Sequence, residues 1–178
     1  MAPGLNARDP WSRLVHWREL PVRLRLEADD ATRANLRKDL KLESLSELSA
    51  DLNVQPWLDG AELTGRLRAV VTQICGVSLD PFDTVIDEPL LVRFVPAGSP
   101  NAPPPPEDEV EVDLEADDPP DVIAGDSIDV AHYVVEHLAL AIDLFPRKPG
   151  VVFEPPPDET PSSPFAVLAA LKATKAAD

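Results

Sequence analysis

Two runs of alternating apolar and polar residues meet at Asp59-Gly60, and they restrict the fold more than any other feature of the chain. Before the junction, Leu48, Ala50, Leu52 and Val54 alternate with Ser49, Asp51 and Asn53. After it, Leu63, Gly65, Leu67, Ala69 and Val71 alternate with Thr64, Arg66, Arg68, Val70 and Thr72. Successive side chains of a strand point to opposite faces, so each run offers one face to a core and one to solvent. Asp-Gly between two such runs predicts a β-hairpin. Residues 22–27 alternate in the same way and predict a further strand, and residues 13–17 a short one. A strand is also predicted over 85–95, where Pro89 calls for a bulge or a sheet edge.

Helical spacing occupies two other stretches. Asp29 and Asp30 precede residues 31–40, where Leu36 and Leu40 share one face and Arg33 and Arg37 another. An aspartate at that position accepts hydrogen bonds from the first free N–H groups of a helix. Asp126 or Ser127 is the predicted cap of a second helix running to Ile142, with Val130, Val134, Leu138 and Ala141 as its apolar stripe and Pro146 beyond its end. A short C-terminal helix is predicted over 163–172, with proline in its first turn. The expected fold is α+β: a hairpin-rich antiparallel sheet of about four to six strands, packed by two main helices, in a single domain spanning 1–178.

The 21 prolines concentrate at 96–106, 119–120 and 155–164. They predict a mobile acidic and proline-rich internal loop over 96–125 and a proline-rich linker over 154–163, since such stretches bury too little apolar surface to offset chain ordering. Val110, Val112 and Leu114 alternate with acids, so an edge strand is an equal reading there. Nine carboxylates between Glu107 and Asp121, with no Lys or Arg among them, supply more than half of the net charge of −16. A chain this acidic repels phosphate backbones at long range. Residues 1–42 nevertheless hold nine basic and six acidic side chains. The single cysteine, Cys75, forms no internal disulfide and suits a reducing compartment. No apolar run approaches the roughly 20 residues that span a bilayer, and residues 1–13 lack the pattern of a secretory signal. A cytoplasmic location and no membrane partner are expected.

Chemistry-bearing motifs are sparse. One Cys and three His fall short of a four-ligand zinc set, and Cys75 is followed by Ser78 in a Cys-x-x-Ser pattern. His132 and His137 are five apart and fall on different helix faces. No nucleophile elbow, phosphate loop or dinucleotide fingerprint occurs. The many carboxylates lie in a solvated run rather than a shaped pocket. The expectation is no catalytic residue, no metal, no cofactor and no small-molecule substrate. The positive signal is arginine placement: Arg23 and Arg25 share one face of a strand, and Arg66 and Arg68 one face of another. Guanidinium forks suit phosphates and carboxylates alike, so these four are candidate RNA- or partner-binding residues. Pairing with neighbouring acids is the plainer alternative.

The segment from Leu67 to Phe82, with Cys75-Gly76-Val77-Ser78-Leu79-Asp80-Pro81-Phe82, resembles the YceD family, the large ribosomal RNA subunit accumulation proteins, in an alphaproteobacterial-type form. The resemblance continues through Ile128-Asp129-Val130, Glu136 to Ile142, Phe145-Pro146-Arg147-Lys148-Pro149-Gly150 and Pro164 to Leu168, with an acidic stretch between, and covers most of the chain from about residue 12. Cys75, Leu79, Asp80, Pro81, Phe82, Glu136 and Pro146 carry the motif. Many members have a second cysteine where Ser78 stands, so the resemblance does not extend to a metal site here. It implies a non-enzymatic role in the synthesis, processing or stability of 23S rRNA. The implied partners are that RNA or its precursor, or ribosome-assembly and RNA-processing proteins, with Arg147 and Lys148 as added contact candidates. A module that binds a ribonuclease or assembly protein without touching RNA is the alternative.

Overall fold

A computed structural model describes residues 11–104 and 118–154. Its main body is a five-stranded sheet in the order β2 (Val22–Glu27), β3 (Ser44–Trp57), β4 (Gly60–Ile74), β5 (Pro81–Pro96), β6 (Asp121–Ile123). Neighbours are antiparallel except β5 and β6, which run parallel. A separate two-stranded ribbon joins β1 (Leu14–His16) to β7 (Ser127–Asp129). Among the described residues, two α-helices, α1 (Asp30–Asp39) and α2 (Val130–Ala141), join the strands in an α+β architecture.

The alternation read around Asp59-Gly60 is the alternation seen. Leu48, Ala50, Leu52 and Val54 of β3 and Leu63, Leu67, Ala69 and Val71 of β4 are all buried. Leu36 of α1 and Val130, Val134 and Leu138 of α2 belong to the same apolar cluster, so both helices cover the inward face of the sheet. Among the described residues, no helix lies over the opposite face. The hairpin turn sits one residue earlier than Asp-Gly suggests. Trp57 pairs with Gly60, and Leu58 takes the left-handed conformation at φ 50°. Gly60 is needed for space: a Cβ there would lie 1.9 Å from the carbonyl oxygen of Phe94.

Several boundaries differ from the sequence expectation. β3 begins at Ser44 rather than Leu48 because a bulge between Leu45 and Glu47 breaks the period and lets both Leu45 and Leu48 face inward. Pro89 pairs with Arg66 in an uninterrupted register. Among the described residues it occupies an edge, since β6 flanks Phe94–Pro96 alone, and its missing donor is tolerated there. The cap of α2 is Asp129, not Asp126 or Ser127, because Ser127–Asp129 is extended and paired with β1. The Asp129 carboxylate accepts from Ala131 N–H at 3.2 Å, and from Ser12 Oγ at 2.6 Å and Arg13 N–H at 2.9 Å. α1 starts as expected, with the Asp29 carboxylate accepting from Thr32 N–H at 2.8 Å. It ends in a Schellman motif, with Lys41 at φ 55° and Leu42 N–H donating to Arg37 O. β6 lies within the stretch read as loop 96–125.

The expected edge strand at 110–114, most of the linker at 154–163 and the helix at 163–172 lie outside the described residues. The described part of a second unit, from Pro149 to Glu154, has no helix or strand. No helix among the described residues is long and apolar enough to cross a membrane. Gly60→Ala drives a methyl group into backbone that cannot move aside, and such overpacking is expected to cost about 3 kcal/mol. Urea unfolding measures it; a loss below about 0.5 kcal/mol, the range of ordinary surface changes, would contradict the close approach.

Candidate interaction surfaces

The register places Arg23, Arg25, Arg66 and Arg68 on the uncovered face of the sheet, as their strand positions require. Arg93 of β5 joins them. The same face carries Glu27, Glu47, Asp51, Glu62, Asp83 and Asp87, so acids at least match the guanidiniums. Arg25 Nε donates to Glu27 at 2.7 Å and its Nη1 to Asp51 at 3.2 Å. Arg66 Nε donates to Asp87. That hydrogen bond holds the Asp87 carboxyl below the usual carboxylate range, with a smaller contribution from Arg68. Arg93 donates to Glu62 at 3.2 Å and lies 5.2 Å from the Trp57 ring centre. Among the described residues, Arg23 and Arg68 make no ion pair. Arg25 and Arg66 thus pair with neighbouring acids, whereas Arg23 and Arg68 form no ion pair among the described residues.

Arg147 and Lys148 are not part of this face. They sit beside the turn that joins β4 to β5, about 23 Å along the strand from Arg68 at the usual rise per residue. That turn is the family-like motif. Cys75 N–H donates to Asp80 O, Leu79 N–H to Cys75 O, and Gly76 N–H to Pro146 O, each at 2.9 Å. Leu79 has φ 61° and an exposed side chain. Phe82 and Pro81 lie in β5, paired with Gln73 and Ile74.

Cys75 is fully buried. Its sulfur accepts from the backbone N–H groups of Val77, Ser78 and Lys148 at 3.4, 3.4 and 3.3 Å. The Ser78 and Lys148 N–H groups chiefly lower the thiol to about 6, against the opposing effect of burial. The Cys-x-x-Ser turn thus supplies backbone donors to one sulfur, while among the described residues no group of His, Cys, Asp and Glu could hold a metal ion.

A groove of about 420 Å³ lies between β5, the approach to β6 and α2. Leu91, Asp118, Asp121, Tyr133, Glu136 and Leu140 are among its lining residues. Tyr133 OH donates to Asp121 at 3.1 Å, and its ring stands edge-on to Phe94 at 4.8 Å. Burial, then the Asp121 charge, pushes the phenol up, so it stays a donor. Sequence reading passed over this groove, taking Glu136 as a motif residue and Asp118 and Asp121 as part of a charge run. The available signal was Leu140, a large apolar residue off the buried stripe of α2 and strongly exposed.

A thiol lowered in the fold stabilises the folded state at pH values above its unfolded value near 9, and that contribution disappears as pH falls through about 6. The stability of the protein relative to Cys75→Ala should accordingly rise from pH 6 to pH 9. Denaturant unfolding at both ends tests it, and a flat difference would contradict sulfur acting as an acceptor.

The family model described as large ribosomal RNA subunit accumulation protein YceD matches residues 63–172, more than half of the chain. The match begins inside β4, after the expected start near residue 12, and takes in the Cys75 turn, α2 and Glu136. No curated protein matches the chain, and no solved structure does. On the family match, the chain belongs to the YceD family of large ribosomal RNA subunit accumulation proteins.

Proposed function

We propose that the chain is a non-catalytic binding factor whose part in the accumulation of large-subunit ribosomal RNA is played by recognising a protein of ribosome assembly or RNA processing. The observation that carries this reading is the charge-matched open face of the sheet. Arginines gathered for a phosphate backbone work by an excess of positive charge. Here Arg25 and Arg66 are already engaged by Asp51, Glu27 and Asp87, and six carboxylates accompany five guanidiniums. A surface of alternating sign, with apolar Val85 and Leu91 exposed within it, suits another protein surface of complementary pattern. The net charge of −16 adds long-range repulsion of RNA.

The second reading, direct contact with 23S rRNA or its precursor, is favoured by Arg23 and Arg68, which make no ion pair among the described residues. Salt dependence separates the two, because several phosphate contacts impose a steep loss of affinity as salt rises.

Arg23→Glu with Arg68→Glu should abolish retention of the protein partner in affinity purification from the cells that make this protein. Stability should fall by no more than about 1 kcal/mol, the range for cross-strand pairs, because the new carboxylate at position 68 faces Asp87 across the β4–β5 ladder. The level of 23S relative to 16S rRNA in the same cells should fall. Unchanged partner retention would remove the open face as the site. Saturable binding to 23S fragments with a steep salt slope, lost in the double variant, would establish the RNA reading in its place.

A further inference from the structure

The groove between the edge of the sheet and α2 shares Leu91 and Arg93 with the open face but differs from it in the charge of its remaining lining. Two large apolar side chains border it: Leu91 is 57% exposed and Leu140 is 78% exposed. Its polar lining comprises the Tyr133 hydroxyl, the carboxylates of Asp118, Asp121 and Glu136, the Arg93 guanidinium and His137, whose Nδ1 lies 2.9 Å from Tyr133 O. None of the three carboxylates makes an ion pair among the described residues. The cation of the groove, Arg93, is committed to Glu62 and the Trp57 ring. With three carboxylates against one guanidinium, where the open face is near balance, the described lining gives the cavity an excess of acid. Its volume of about 420 Å³ suits a long side chain with its neighbours.

We infer that this groove docks a basic segment of a protein partner, taking an arginine or lysine side chain between Asp118, Asp121 and Glu136 while an adjacent apolar residue packs on Leu91 and Leu140. The carboxylates supply acceptors for a cationic head, and the leucines cover the apolar stem that such side chains present. A phosphate or a nucleic-acid strand meets three carboxylates there against one guanidinium that already pairs with Glu62. This inference rests on the protein-partner reading above and adds the chemistry of the partner. The two fail separately, because that reading is tested at Arg23 and Arg68 and this one at residues outside the open-face charge network.

The test uses the full chain and a fluorescently labelled peptide of alternating arginine and leucine, followed by anisotropy. Saturable binding is expected. Asp118→Asn with Glu136→Gln should weaken it roughly tenfold, as loss of close charge pairs does, and Leu140→Ser should weaken it through the apolar part. A control with equal charge loss at exposed positions outside the groove, Asp39→Asn with Glu43→Gln, should leave the affinity unchanged. An equal effect from the control would show diffuse attraction to an acidic chain and overturn the inference, as would the absence of saturation. Displacement of the peptide by a single-stranded RNA oligonucleotide would also overturn it.

Discussion

The structure depends on the pairing of β3, β4 and β5 in a register that puts one set of alternating side chains wholly inside. Leu63, Leu67, Ala69 and Val71 of β4 and Phe94 of β5 have no exposed surface. A slip of one residue would turn every one of them to solvent and bring Arg66, Arg68 and Asp87 into the core. Burying several unpaired charges is far costlier than losing one or two side-chain contacts. The register is thereby fixed, and with it the composition of both faces. Helices cover the inward face because only that face is apolar. The outward face collects the polar half of each strand, which is how arginines from β2 and β4 come together with acids from β2, β3, β4 and β5.

The parts of this arrangement governed by local pattern were legible in the sequence. The β3–β4 hairpin, β2, the Asp29 cap of α1 and the buried stripe of α2 follow from periods of two and 3.6 with capping residues in place. The parts that need partners remote in sequence were not. The Leu45–Glu47 bulge breaks the alternation that would have placed the start of β3. β6 and β7 are three residues each and acquire their character only from β5 and β1. The preference for Asp129 over Asp126 as the helix cap depends on that pairing, and on Ser12 and Arg13 reaching the same carboxylate.

The functional surfaces divide in the same way. Four arginines were placed on one strand face by parity alone, and the register brought those positions together. Pairing with acids was the plainer alternative, but the partners were not legible, because Asp87 reaches Arg66 only through the β4–β5 ladder. The setting of Cys75 also needed the fold, since one of its three donors is the backbone of Lys148, on the loop after α2. The groove assembles Leu91, Asp118 and Glu136 from three separate stretches, so only fragments of it were visible beforehand. Family membership says that the chain supports accumulation of large-subunit ribosomal RNA. The balance of charge on the open face is what favours a protein over RNA as its immediate contact.

The most direct measure of that claim is ultraviolet crosslinking in living cells, which joins RNA only to residues in direct contact with it. Peptides from β2 and β4, recovered after crosslinking and nuclease digestion, should carry no nucleotide adducts above the background of an unrelated acidic protein. Adducts concentrated on the peptides that contain Arg23 or Arg68 would show that the open face holds RNA after all.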